Sequence, residues 1–169
     1  MIVVSDTTPL ISLLKIHRID LLHNLFDEVQ IPQGVFNELT ANQNFANEAE
    51  EISNCDFIKI KSVDTRQVSL FQRTTGLDLG ESEAIVLTDA INADIILLDE
   101  IHARRVAESI GFNIMGTIGI LKTAYRDGYI SAEEIKSAVE VLRNSGRYIS
   151  ETLLNNLLDS LEHLFTILF

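Results

Sequence analysis

Two short apolar runs, Ile2-Val3-Val4-Ser5 and Ile95-Ile96-Leu97-Leu98, each end at an aspartate, Asp6 and Asp99, and each aspartate precedes a stretch that reads as helix. In an open parallel sheet, ligands collect outside the carboxyl ends of the strands, so two acids placed there face one crevice. Glu38, Glu81 and Glu83 sit on helices adjoining other strand ends. Carboxylates gathered in a crevice suit a hard cation such as Mg²⁺ or Mn²⁺, which takes oxygen ligands, keeps several waters and lets substrate phosphate complete its shell. Zinc would want His or Cys, and His17, His23, His102 and His163 show no ligand spacing with one another.

Each acid also has a plainer reading. Asp6 follows a strand buried on both faces, where a lone charge is costly, so it either caps the next helix or meets a counter-charge or metal. Thr7-Thr8-Pro9 already offers a hydroxyl cap with proline at the first helical position, which leaves Asp6 for the site. Glu81 and Glu83 open a helix, where the dipole favours acids. Their i, i+2 spacing turns them about 200° apart, so one of the two faces a given site. Glu83, ahead of Ala84-Ile85 and the apolar row to Leu87, reads as the inward member. Glu38 belongs either to the site or to the solvated side of its helix. Asp99 and Glu100 read as capping residues as well, with Arg104 four residues beyond Glu100 as its ion-pair partner.

The elements that must position these acids alternate along the chain. Strands are expected at 2–5, 28–31, 57–60, 95–98 and 113–115, from short β-branched runs bounded by turn residues. Helical patterns run from the Thr7-Thr8-Pro9 start through Leu14, from Ile19 to Phe26, and from Pro32 through Leu39. Asn42 to Glu51 is a solvated helix or loop, and Ser62 to Thr75 is polar with scattered apolar residues. Asp78 and Glu81 have capping-box spacing before a helix to about Asn92, as do Ser131 and Glu134 before Ile135, Val139 and Leu142. Between them lie a helix from Glu100 to Gly111 and one capped by Thr117 that ends at Gly128. A last helix at 150–169 lines up Leu153, Leu154, Leu157, Leu158, Leu161, Leu164, Phe165 and Leu168, either against the domain's own body or as a seam for a partner. Strands separated by helices throughout make the fold class α/β, a three-layer α/β/α sandwich on a mainly parallel sheet of about five strands.

Composition sets the outer bounds. With 169 residues and 46% hydrophobic content the chain reads as one domain, 1–169, with a core that needs no disulfide or structural metal. The one cysteine, Cys55, cannot form an internal bridge, and no signal-like opening or apolar run of membrane-spanning length is present, so a cytoplasmic protein without membrane partners is expected. A net charge of −12 argues against nonspecific nucleic-acid affinity, although acids grouped around a divalent ion are partly neutralised by it. No Walker pattern, dinucleotide fingerprint or G-x-S-x-G elbow occurs, which excludes the P-loop, Rossmann and α/β-hydrolase classes. A phosphatase acting through a nucleophilic D-x-D after the first strand is disfavoured, because that pattern is missing.

The ordered segments Val-Val-Ser-Asp-Thr-Thr-Pro-Leu-Ile, Ile-Pro-Gln-Gly-Val-Phe-Asn-Glu-Leu around Glu38, Leu-Gly-Glu-Ser-Glu-Ala-Ile around Glu83, and Leu-Leu-Asp-Glu-Ile-His-Ala-Arg-Arg from Leu97 resemble a PIN domain. The likeness covers most of the chain and is to a PIN-like branch long labelled a domain of unknown function. Its better-known members are VapC-like ribonuclease toxins of toxin-antitoxin pairs. The resemblance implies a Mg²⁺- or Mn²⁺-dependent endoribonuclease whose metal-binding and catalytic acids fall on Asp6, Glu38, Glu83 and Asp99, with Glu81 a further candidate. It implies in-line attack of water on phosphorus, an RNA substrate, an antitoxin protein and a homodimer. Arg104 and Arg105 match the branch too, and either could touch phosphate or serve an ion pair. Two departures from the commoner toxins stand out: Glu83 replaces an aspartate, and Asp99-Glu100 replaces a Thr-x-Asp or Thr-x-Asn pattern. The competing expectation is a non-catalytic interaction module of the same fold, its terminal helix and acidic surface turned to a protein partner.

Overall fold

A computed structural model describes residues 1–41, 46–146 and 149–167, with side chains through Leu161. Its five strands are β1 (Val3–Ser5), β2 (Val29–Pro32), β3 (Ile58–Lys61), β4 (Ile95–Leu97) and β5 (Ile114–Met115). All pairings are parallel and the order is β3-β2-β1-β4-β5. The chain therefore winds outward from β1 to one edge through β3, then returns to build the other edge from β4. The reversal falls between β1 and β4, the switch point at which doubly wound sheets open a crevice.

Ten helices cover the two faces among the described residues: α1 (Thr7–Lys15), α2 (Asp20–Phe26), α3 (Gln33–Ala41), α4 (Ala46–Ser53), α5 (Thr65–Thr75), α6 (Leu79–Ala90), α7 (Ile101–Ile110), α8 (Thr117–Arg126), α9 (Ala132–Asn144) and α10 (Glu151–Ile167). Alternation along the short strands divides the core in two. Val3 and Leu97 face a cluster built from α1, α2, α3, α8, α9 and α10, while Val4, Ile96 and Leu98 face a smaller one built from α6 and α7 with Leu77. This is the expected three-layer sandwich, with each strand within a residue or so of its expected place.

Three local readings become definite. Ser62 to Thr75 is largely α5, whose N-cap Asp64 accepts from the Arg66 and Gln67 backbone N–H groups and whose C-cap, Gly76, takes the left-handed φ of +75°. Of the solvated segment 42–51, residues 46 onward belong to α4, and 42–45 lie outside the described residues. The terminal stripe is covered by the chain itself: Leu154, Leu157 and Leu161 are buried where α10 packs on α8 and α9, while Leu153 is 47% exposed. Leu157 and Leu161 are therefore core residues, each contributing about 2 kcal/mol of burial, and do not form an exposed seam. The side chains of Leu164 and Phe165, and Leu168 altogether, lie outside the described residues.

Candidate functional site

The carboxyl ends of β1 and β4 carry the two aspartates, and the same residue type meets opposite surroundings there. The Asp6 N–H donates to the Leu97 carbonyl at 3.1 Å, which continues the sheet pairing as far as the acid. Asp6 is the N-cap residue of α1, yet its side chain makes no capping bond to that helix. Thr7 is the first helical residue rather than the cap, and its hydroxyl donates to Glu38 Oε2 at 2.7 Å. The hydroxyl expected to free Asp6 by capping thus orients a second acid beside it.

Glu38 lies on the solvent side of α3 but reaches back over β1, and Gly80 in the first turn of α6 makes room for it. A Cβ at Gly80 would stand 3.1 Å from Glu38 Oε2, 3.3 Å from Asp6 Oδ1 and 3.6 Å from Asp78 Oδ1. Three carboxylates from three parts of the chain thus converge on one bare α-carbon. Gly34 on α3 has the reciprocal role: it donates its N–H to Glu83 Oε2 at 2.7 Å, and a Cβ there would overlap the Glu83 carboxylate. Each of the two helices therefore presents a glycine to the acid of the other. A groove of about 720 Å³ runs between them, lined by Glu38, Asp78 and Glu83 with Gln33, Asn37 and Thr65.

The expected acids consequently divide. Asp6 and Glu38 come together. Glu83 lines the same groove but its carboxylate caps the N-terminus of α3. Glu81 is the more buried of the helix-opening pair, 8% exposed, and closes a reciprocal capping box with Asp78. Asp99 stands apart: its Oδ1 accepts from the Thr117 N–H at 2.7 Å and its Oδ2 from the Thr117 hydroxyl at 2.6 Å, so it caps α8 across the chain. Thr117, expected to cap that helix, is its first residue. Glu100 caps α7 through the Ala103 N–H, and Arg104 donates to the Leu98 carbonyl at 2.7 Å in place of the expected pair with Glu100. Among the described residues no three His, Cys, Asp or Glu side chains already stand in ligand geometry.

Electrostatics sharpens the division. Burial pushes the Asp6 carboxyl up to about 8, opposed by the Thr7 backbone N–H and reinforced by the negative charges of Asp78, Glu81 and Glu38. Glu81 is also raised, first by burial and then by Asp78. Burial raises Asp99 too, but there the Thr117 hydroxyl, the Thr117 N–H and Arg104 all favour the charged form. Asp6, only 4% exposed, is a buried acid with acids for neighbours, the arrangement expected where a cation belongs. Cys55 has no such setting; burial and two nearby acids raise its thiol, in keeping with a thiol that has no chemical role.

A family model described as DUF3368, PIN domain, matches residues 2–163. The chain belongs to the PIN-domain family. PIN domains are generally nucleases and typically use divalent metals. No curated protein matches the chain. Among the described residues, no helix is long and apolar enough to cross a membrane.

Sequence reasoning missed Asp78 and the two glycines. Asp78 was legible only as a cap, and Gly34 and Gly80 carry no local mark. Their function depends on α3 crossing α6, a contact between residues about fifty positions apart.

Proposed function

We propose that this PIN domain is a divalent-metal-dependent endoribonuclease, the toxin of a toxin-antitoxin pair, with its ion at Asp6 and Glu38. The observation that carries the reading is the gap over Gly80, onto which Asp6 Oδ1 and Glu38 Oε2 both converge. The donors there are oxygens, and one or two carboxylates suffice for Mg²⁺ or Mn²⁺ when substrate phosphate and water complete the shell. Such an ion supplies Lewis acidity and a more acidic water for in-line displacement at phosphorus.

The chain's own residues supply position and charge. Thr7 fixes the rotamer of Glu38, and Gly80 keeps the space between the acids open. The buried position of Asp6 strengthens any interaction with a cation by excluding water. Glu83 and Asp99 are the further acids of the proposed set, each now spending its carboxylate on a backbone N–H. A second copy of the chain and an antitoxin are the proposed protein partners and the cytoplasm the proposed compartment, with any dimer seam outside the core leucines of α10.

The test is calorimetric titration of Mn²⁺ into the parent and Asp6→Asn, alongside cleavage of single-stranded RNA. The parent is expected to bind and cleave. Asp6→Asn should lose more than about 100-fold in affinity, beyond the 10–100-fold cost of disturbing an outer-shell partner. Equal Mn²⁺ affinity and cleavage in the two proteins would reject the assignment and favour the non-catalytic module.

A further inference from the structure

On the other side of the sheet's switch point lies a second groove, of about 570 Å³, between α7, β5, α8 and the start of α10. Among the described residues its charged lining is Asp99, Arg104 and Lys122. Cations here are notable in a chain of net charge −12, where five of the others, Lys15, Arg18, Arg126, Lys136 and Arg143, already pair with carboxylates. Lys122 on α8 is exposed and has no partner among the described residues, whereas Arg104 on α7 is half-buried and anchored. A guanidinium carries five N–H donors, and Arg104 gives one of them to Leu98, which holds the rest in a fixed direction. Asp99, whose two oxygens accept from Thr117, makes no direct ion pair with either cation, although its charge and that of Arg104 attract across the groove.

We propose that this groove is a phosphate subsite: Arg104 and Lys122 hold the backbone of a single-stranded RNA whose next phosphates reach Asp6 and Glu38. The inference rests on the nuclease reading for its choice of ligand. The two grooves share the carboxyl edge of the sheet, so a strand laid along it meets cations on one side and acids on the other. Among the described residues the lining holds no aromatic ring, so the contacts proposed here are to phosphates and not to bases. Arg105, exposed on α7 and absent from the lining, takes no part.

The experiment is fluorescence anisotropy of labelled oligouridylate and oligoadenylate in EDTA, over a range of salt, with the full chain. Lys122→Ala and Arg104→Gln should each weaken binding roughly threefold to tenfold and reduce the slope of log affinity on log salt by about 0.7, the value for one lost contact to single-stranded phosphate. Lys122→Glu should weaken it further, the two oligonucleotides should behave alike, and Lys136→Ala, which lines neither groove, should match the parent. Lys122 has no partner to lose, so its variants keep the fold even if Arg104→Gln does not. Parent-like affinity and slope for Lys122→Glu overturn the subsite, as does a parent that ignores RNA but binds polyglutamate, which points to an acidic protein segment. Adding Mn²⁺ separates the two readings. Cleavage with an unchanged KM in Lys122→Glu rejects the subsite alone, whereas charge-dependent binding without cleavage by any variant keeps the subsite and rejects hydrolysis.

Discussion

Asp6 and Asp99 end adjacent strands of one sheet, yet the first is surrounded by acids and the second by donors. Strand parity accounts for the difference. With Ser5 opposite Leu97, Asp6 falls on the side of Val4 and α6, where Gly80, Asp78 and Glu81 wait, while Asp99 falls on the side of Leu97 and α8, where Thr117 does. Equivalent strand-end positions therefore yield unequal states. A carboxylate met by an N–H, a hydroxyl and a guanidinium stabilises the fold as it stands; one met by other carboxylates is costly until a proton or a cation arrives.

The strongest way to break this contrast is to remove each carboxylate from the metal-free protein. Asp99→Ala strands the Thr117 N–H and hydroxyl and should cost about 2–3 kcal/mol in urea unfolding. Asp6→Asn should do the opposite at pH 8, stabilising by about 1–3 kcal/mol because no buried charge is left to accommodate. Destabilisation of similar size by both variants would show that the two acids are not in different states.

Titration gives the next largest effect. The folded protein keeps the Asp6 proton up to about pH 8, whereas the unfolded chain releases it near the ordinary carboxyl value of 3.8. The resulting stability is full below about pH 4 and is lost as pH rises towards 8, at about 1 kcal/mol per pH unit from this one group. Unfolding free energies of the parent minus those of Asp6→Asn isolate that slope, and saturating Mn²⁺ should flatten it by favouring the ionised acid.

Smaller changes sharpen the picture within the acidic side. Gly80→Ala places a methyl against Glu38 and Asp6 and should weaken Mn²⁺ binding about tenfold, although alanine ordinarily favours a helix by roughly 1 kcal/mol. Thr7→Val removes the hydrogen bond to Glu38 and should cost no more than about 1 kcal/mol of stability, with a few-fold loss of Mn²⁺ affinity. Were Gly80→Ala neutral in calorimetry, the space above that residue would have no part in binding.

Features governed by neighbours along the chain were legible in the sequence. The strand ends and the two capping boxes depend on spacing within a dozen residues, and the PIN likeness on the order of short segments each no longer than that. The helix at 65–75 was missed for a local reason: its polar face dominates, and the Asp64 cap with Val68 and Phe71 one turn apart was too faint beside the surrounding polar residues. The threonines at 7 and 117 were misread because a hydroxyl beside a helix start can serve that helix or a distant carboxylate, and only tertiary contacts choose. The side of the sheet on which each aspartate falls depends on register between strands about ninety residues apart, which no window of sequence reveals.

The exchange of glycines between α3 and α6 bears on how this chain can change over generations. A substitution at position 34 obliges a shorter side chain at 83, and one at position 80 obliges a retreat at 38 or 6. These positions are therefore expected to vary in concert or not at all among descendants, and an engineer who swaps either helix alone from a related protein should inherit a misfit that swapping both would avoid.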